Sequence, residues 1–268
     1  RRSGGKGYES LRRSVGVFCF QDSDESAEFY DGVYVKRGGR IALQKVLRRA
    51  KYRKVLVHGI LPEMIEVLNV VAAKVPIIVW VHGFETEKWT RRLFDNKWTL
   101  GFLALLPRLI IANRAKLKFM KELYENRKQE RNIQFVFVSR WFKNCVAERD
   151  THTQTRYGHI IPNYINADLF NYEKKSAEQR KRILLIRSFN SRKYANDLAI
   201  KAIRNLRNSS IFMDLDICII GDGTYFNSLL EPLRSYENVH IRQTFLKPAE
   251  ISRMHKNYGV FLCPTRFD

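Results

Sequence analysis

The sequence predicts an α/β protein with two doubly wound parallel sheets, on two observations. Short unbroken apolar runs bounded by turn residues, as expected of strands buried on both faces, alternate with segments of helical spacing along the chain. That alternation is interrupted once, by the polar stretch 171–182, and resumes beyond it, which places a boundary between residues 1–170 and residues 171–268. The clearest unit follows the boundary. It has a buried run at 183–186, a basic connection over 187–193, a helical stripe through Leu198, Ile200, Ile203 and Leu206, and a second buried run at 215–220 that closes on Gly221, Asp222 and Gly223. Ligands of open α/β sheets sit at the carboxyl ends of strands, and there Arg187, Arg192 and Lys193 beside a helix amino terminus would attract an anion. A solvated basic turn is the competing reading of the same residues.

In chain order, residues 1–14 are basic and glycine-containing. A strand is expected at 15–20, an exposed acidic stretch at 22–28, a short strand at 33–35, a helix at 41–49 and a strand at 55–58. Residues 61–73 read as a helix with Pro62 in its first turn, where the missing N–H has no intrahelical partner to lose. A strongly apolar strand at 76–81 ends in His82, Gly83, Phe84 and Glu85. A long helical region to residue 106 precedes a strand at 109–112, a basic helix at 115–130, a strand at 133–138, a helix at 141–148 and a short strand at 160–163. Past the second buried run come a helix at 226–236, a strand at 239–242, a helix at 248–256 opened by Pro248, and a last strand at 260–263.

Composition narrows the function classes. The 268 residues are 45% hydrophobic and 12% aromatic, and 48 Lys and Arg against 27 Asp and Glu give a formal charge of +21. That excess favours polyanions: nucleic acid, an anionic membrane surface or phosphorylated small molecules. The aromatics sit inside apolar runs and no nucleic-acid-binding motif is visible, which argues against nucleic acid. Nine basic residues and no acid fall between Asp31 and Glu63, a run that fits either a solvated helix face or a surface-binding patch. No apolar stretch reaches the roughly 18 residues of a membrane span. Cys19, Cys145, Cys218 and Cys263 lie far apart and read as buried residues of a reducing compartment, without metal or disulfide spacing. The histidines form no pair with metal-ligand spacing, and neither a nucleophile elbow nor a Walker-type glycine loop is present.

His82, in a His-Gly step at the end of a strand, is the first candidate for chemistry, although a lone histidine is more often a satisfied structural group than a catalytic one. The order of the elements supplies more. VHGFE at 81–85, FVSRW at 137–141, IIPNYINADLF at 160–170, IRSFNSRKYANDLAIKAI from 186, ICIIGDG at 217–223, NVHIRQTFLKPAEI at 238–251 and FLCPTRFD at 261–268 follow one another as motifs do in the retaining glycosyltransferases of family 4. Over residues 81–268 the chain resembles that family.

The resemblance implies the GT-B architecture of two facing Rossmann-like domains. Residues 1–170 would be the acceptor-side domain, lacking its first strand, and residues 171–268 the nucleotide-sugar-binding domain, truncated. It implies transfer of a sugar from a nucleotide-diphosphate sugar to a glycan or lipid-linked acceptor, with neither cofactor nor metal. The setting would be polysaccharide biosynthesis in the cytoplasm, or peripherally on the inner face of the cell membrane. Residue by residue, Arg187 and Lys193 fall where the family binds the donor diphosphate. His82 matches the histidine near the transferred sugar, with Gly83, Phe84 and Glu85 on the acceptor side. Gly221 and Asp222 join the donor site, and Asp268 falls at the first acid of the family's pair. The second acid would lie past residue 268, so this fragment is expected not to turn over donor.

Ile186 and Tyr194 stand where the family usually has glycine, and the arginine-to-lysine separation is one residue longer than usual. Arg192 and Lys193 therefore remain alternative second phosphate ligands. Asp268 is one methylene shorter than the family's glutamate. Two other classes compete: a basic protein that binds nucleic acid or a membrane surface without catalysis, and a structural or regulatory relic.

Overall fold

The computed structural model describes residues 15–21, 24–30, 33–49, 52–72, 75–95, 99–125 and 132–266. Two compact units separate, Arg1–Lys88 with Ile110–Pro162, and Trp89–Leu109 with Asn163–Asp268. The division is not a single cut at residue 170, because residues 163–170 and the stretch 89–109 go with the second unit.

In the first unit, β1 (Val17–Phe20), β2 (Ser26–Tyr30) and β3 (Val33–Gly38) make a small sheet in the order β1-β3-β2, with β3 parallel to β1 and antiparallel to β2. β2 lies in the stretch expected to be merely acidic and exposed; all five of its residues are exposed, so no buried face betrays the strand. After α1 (Arg40–Arg49) comes the main sheet, all parallel, in the order β4 (Val55–His58), β5 (Ile77–Val81), β6 (Ile133–Phe137) and β7 (Gly158–Ile160). The helix α2 (Pro62–Ala72) connects β4 to β5. Ile77, Val79 and Val81 are fully buried, and Tyr124 meets Phe135 edge-on at 4.8 Å.

The strand expected at 109–112 does not exist. Those residues lie inside a 26-residue helix, α3 (Leu100–Glu125), which runs through Pro107. A four-residue apolar run cannot tell strand from helix, and Leu109 and Ile111 are exposed, as a surface helix allows and a buried strand does not. The helix expected at 141–148 is wound as a π-helix over Phe142–Glu148 and ends in one α-helical turn, Arg149–Thr151. Of the four cysteines only Cys218 is buried; Cys145 is half-buried, and Cys19 and Cys263 are exposed, so the expectation of buried thiols fails for the last two.

The second unit is built on β8 (Arg182–Ile186), β9 (Asp216–Gly221), β10 (Val239–Gln243) and β11 (Val260–Phe261), all parallel, in the order β10-β9-β8-β11. On one face Leu185, Ile217 and Ile219 pack with Ile200 and Ile203 of α4 (Asn196–Leu206) and Phe226 of α5 (Phe226–Leu230). On the other, Leu184, Cys218 and Ile220 pack with Met254 of α6 (Pro248–Asn257) and with Tyr258. Burial on both faces is why β8 and β9 read as unbroken apolar runs. The helix expected at 226–236 stops early, giving way to a 3-10 turn around Pro232. From β8 the chain steps to β9 and β10 on one side and returns to β11 on the other. The carboxyl end of β8 is therefore the topological switch point, the place where open α/β sheets bind ligands.

Candidate functional site

At the switch point the chain leaves β8 through residues 187–191 into a 3-10 turn, Arg192–Tyr194, and then Ala195, whose φ of +50° precedes α4. The Ser191 hydroxyl caps that turn by accepting the Lys193 N–H at 3.2 Å. Arg187 is held by its backbone N–H on the Ile220 carbonyl (3.1 Å) and by Nη2 on the Pro264 carbonyl (3.3 Å). Its Nε is buried and has no hydrogen-bond partner among the described residues. The Arg187 guanidinium carbon and the Lys193 ammonium lie 5.3 and 4.8 Å from the centroid of one ring, that of Tyr194, in cation–π range. Neither cation pairs with an acid among the described residues.

Arg192 is arranged differently. Its side chain is exposed, its N–H bonds Asp95 (2.8 Å), and Asp95 also accepts the Ser191 hydroxyl (2.7 Å). Arg266 grips Asp197 with both Nη atoms (2.7 and 2.6 Å) and donates to the Arg192 carbonyl (2.8 Å). The Arg266 hydrogen bonds hold the Asp197 carboxyl below its ordinary value. Gly221 brings two strand-end loops together. A Cβ there would run into the Arg187 carbonyl and stand 2.9 Å from the Phe189 ring. Beside it the Phe189 N–H bonds the Asp222 carbonyl (2.8 Å), while the Asp222 carboxylate accepts from Gln243 (2.7 Å). Asp268 lies outside the described residues.

In the first unit, β4 and β5 end side by side, His58 pairing with Trp80 in register and His82 following β5. Gly83 has a φ of +131°, which favours glycine, and a Cβ there would stand 2.6 Å from Glu87 Oε1. The resulting turn wraps the buried Glu85 carboxylate, which accepts the N–H groups of Gly83 (2.9 Å) and His82 (3.2 Å). Burial raises the Glu85 carboxyl above its usual value against the pull of those hydrogen bonds. Phe84 is half exposed, and its carbonyl accepts from Lys116. His82 is exposed and its Nε2 is 2.8 Å from His58 Nδ1. Among the described residues no group of three or more His, Cys, Asp or Glu is placed to hold a metal ion. No helix among them is long and apolar enough to cross a membrane.

No protein-family profile and no curated protein matches the chain, but solved structures do. An α,α-trehalose-phosphate synthase (UDP-forming) from Burkholderia vietnamiensis is similar over 99% of this chain and 74% of its own, with a TM-score of 0.61 at 10% identity. WaaG, a glycosyltransferase involved in lipopolysaccharide biosynthesis, is similar over 99% and 72%, with a TM-score of 0.55 at 15% identity. A trehalose-6-phosphate protein from E. coli bound with UDP-2-fluoro glucose is similar over 100% and 76%, with a TM-score of 0.55 at 9% identity. The fold is the Rossmann-like GT-B fold. At such identities the likeness speaks for the fold alone.

Within this GT-B chain three residues escaped the sequence reading. Tyr194 stood out only as a departure from glycine, and nothing local links Asp95 to a loop some hundred positions away. His58 left a usable signal: like His82, it closes an apolar run and precedes a glycine.

Proposed function

We propose that this chain belongs to a glycosyltransferase that moves a sugar from a nucleotide-diphosphate sugar to a glycan or lipid-linked acceptor, with retention of anomeric configuration and without a metal. One observation carries the reading. Arg187 and Lys193 stand together against Tyr194 at the switch point, paired with no acid among the described residues, and the buried Arg187 Nε has no hydrogen-bond partner among them. When the bond from the anomeric carbon to the donor diphosphate breaks, its electron pair leaves with the diphosphate. Two fixed cations can stabilise that developing charge. Lys193 fits the role of second phosphate ligand better than Arg192, because it shares the Tyr194 ring with Arg187 while Arg192 is turned to solvent. His82 would lie near the transferred sugar, with Gly83, Phe84 and Glu85 shaping the acceptor side, and Asp268 would contact the donor sugar.

The exposed Leu100, Leu103 and Leu109 of α3, with Arg108 among them, support a peripheral site on the cytoplasmic face of a membrane and a lipid-linked acceptor. Isothermal titration with a panel of nucleoside diphosphates, with and without a chelator, tests the donor site. Binding of one base in the panel that survives the chelator is expected. No binding across the panel would overturn the donor reading, and loss of binding in the chelator would overturn metal independence.

A further inference from the structure

His58 Nδ1 and His82 Nε2 are 2.8 Å apart, the ring centroids are 5.1 Å apart and the ring planes are inclined by only 24°. That centroid separation is about the N···N distance plus the two ring radii, so the rings meet edge to edge, nearly in one plane. This is the geometry of an N–H···N hydrogen bond, in which one imidazole donates and the other accepts. His58 is in turn stacked on Trp80, with centroids 5.4 Å apart and planes 15° apart, which fixes its orientation. The register of β4 on β5 supplies the juxtaposition, since His58 and His82 close two adjacent parallel strands.

We propose that His58 is a positioning residue for His82: the two form one hydrogen-bonded imidazole pair in which His58 fixes the tautomer of His82 and the pair accepts its two protons in separate steps. If His82 donates from Nε2, its Nδ1 carries the lone pair; if it accepts at Nε2, its proton sits on Nδ1. Either way the character of the free His82 nitrogen is set by His58. A second added proton would leave both facing nitrogens as donors and place two imidazolium rings side by side. Among the described residues the charged group at the pair is Glu85, whose buried carboxylate takes the His82 N–H; Lys54 lines an apolar cavity of about 330 Å³ together with His58, without a contact to either ring. Burial, and then the neighbouring charge of His82, lower the His58 value, in keeping with a pair that resists the second proton. The inference deepens the catalytic reading of His82 and rests on it only where turnover is concerned.

The test is an NMR titration of the ¹⁵N-histidine-labelled chain without donor, in the parent, His58→Phe and His58→Asn. In the parent the two rings should titrate in steps separated by about one pH unit or more, each tautomer complementary to the other. In His58→Phe, the His82 ring should show mixed tautomers. His58→Asn, whose amide can stand in for Nδ1, should restore a fixed tautomer. Independent titration of the two rings in the parent, or a His82 tautomer unchanged in His58→Phe, would overturn the proposal. Should His58→Phe fail to fold, the parent titration and His58→Asn decide. Because no donor is present, failure of nucleoside diphosphate binding alongside coupled titration would count against the transferase reading and leave the pair standing.

Discussion

Arg187 and Lys193, six positions apart in sequence, share the ring of Tyr194, at 5.3 and 4.8 Å from its centroid. The tyrosine occupies the place of a glycine in the resembling family, and here it holds a flexible lysine beside a fixed arginine. Charge-assisted hydrogen bonds contribute roughly 1.5 to 3 kcal/mol each, so Arg187→Ala or Lys193→Ala should weaken nucleoside diphosphate binding by about one to two powers of ten. Arg192→Ala should have the smaller effect. Titration calorimetry checks this ordering, and equal losses at 192 and 193 would remove Lys193 from its role.

Gly221→Ala should destabilise the second unit. The added methyl would run into the Arg187 carbonyl and the Phe189 ring, neither of which can swing away as a flexible side-chain end would. Overpacking of this kind costs about 1 to 3 kcal/mol. The midpoint of chemical denaturation should fall accordingly, and the Arg187 loop should lose diphosphate affinity with it. An unchanged midpoint would show that the two loops part easily.

The central strands β5, β6, β8 and β9 were legible because burial on both faces leaves apolar runs, whereas the short edge strand read at 160–163 lies instead at Gly158–Ile160 and is largely exposed. Arg182–Ile186 and Asp216–Gly221 fall within one residue of the runs read from sequence. Leu109 to Ala112 misled because four apolar residues suit a helix as well, and Ser26–Tyr30 was missed because it buries neither face. The candidate site divides the same way. His82 and Arg187 follow strands and could be found, whereas the bonds of His58 to His82 and of Asp95 to Ser191 join residues 24 and 96 positions apart. Contacts at such separations come from sheet register and packing, which no local pattern encodes.

Arg266 should stabilise the second unit in a pH-dependent way. Its two bonds to Asp197 depress the folded carboxyl value, so the contribution is present above the ordinary carboxylate range and is lost as pH falls through the depressed value. Arg266→Ala should therefore lower stability at neutral pH, and the two proteins should converge in acid. The pair is partly exposed, which limits the difference to about 1 kcal/mol or less. Urea denaturation across pH measures it, and a difference that persists below the carboxylate range would point to the Arg266 backbone-carbonyl bond instead.

The last expectation concerns membrane binding, where the structure redistributes the charge read from sequence. In the basic run before Glu63, Arg37 is paired with Glu28, Arg40 with Glu66, and Lys45 with Glu25. Three cations of that run are thus partly neutralised, leaving Lys36, Arg48, Arg53 and Lys54 exposed without an acid among the described residues. The amino-terminal part of α3 is the better candidate, because it exposes Leu100, Leu103, Leu105 and Leu109 with the exposed Arg108 among them. Exposed leucines would add hydrophobic contact to the electrostatic attraction of a basic residue at an anionic surface. Each basic residue near an anionic surface contributes about 1 kcal/mol, so Arg108→Ala should weaken binding to phosphatidylserine vesicles by about fivefold at low salt. Leu103→Asp with Leu109→Asp should weaken it further, in neutral as well as anionic vesicles, because it removes the apolar share. Raising the salt should release the parent from anionic vesicles. Equal sedimentation with neutral and anionic vesicles at low salt would rule the docking face out.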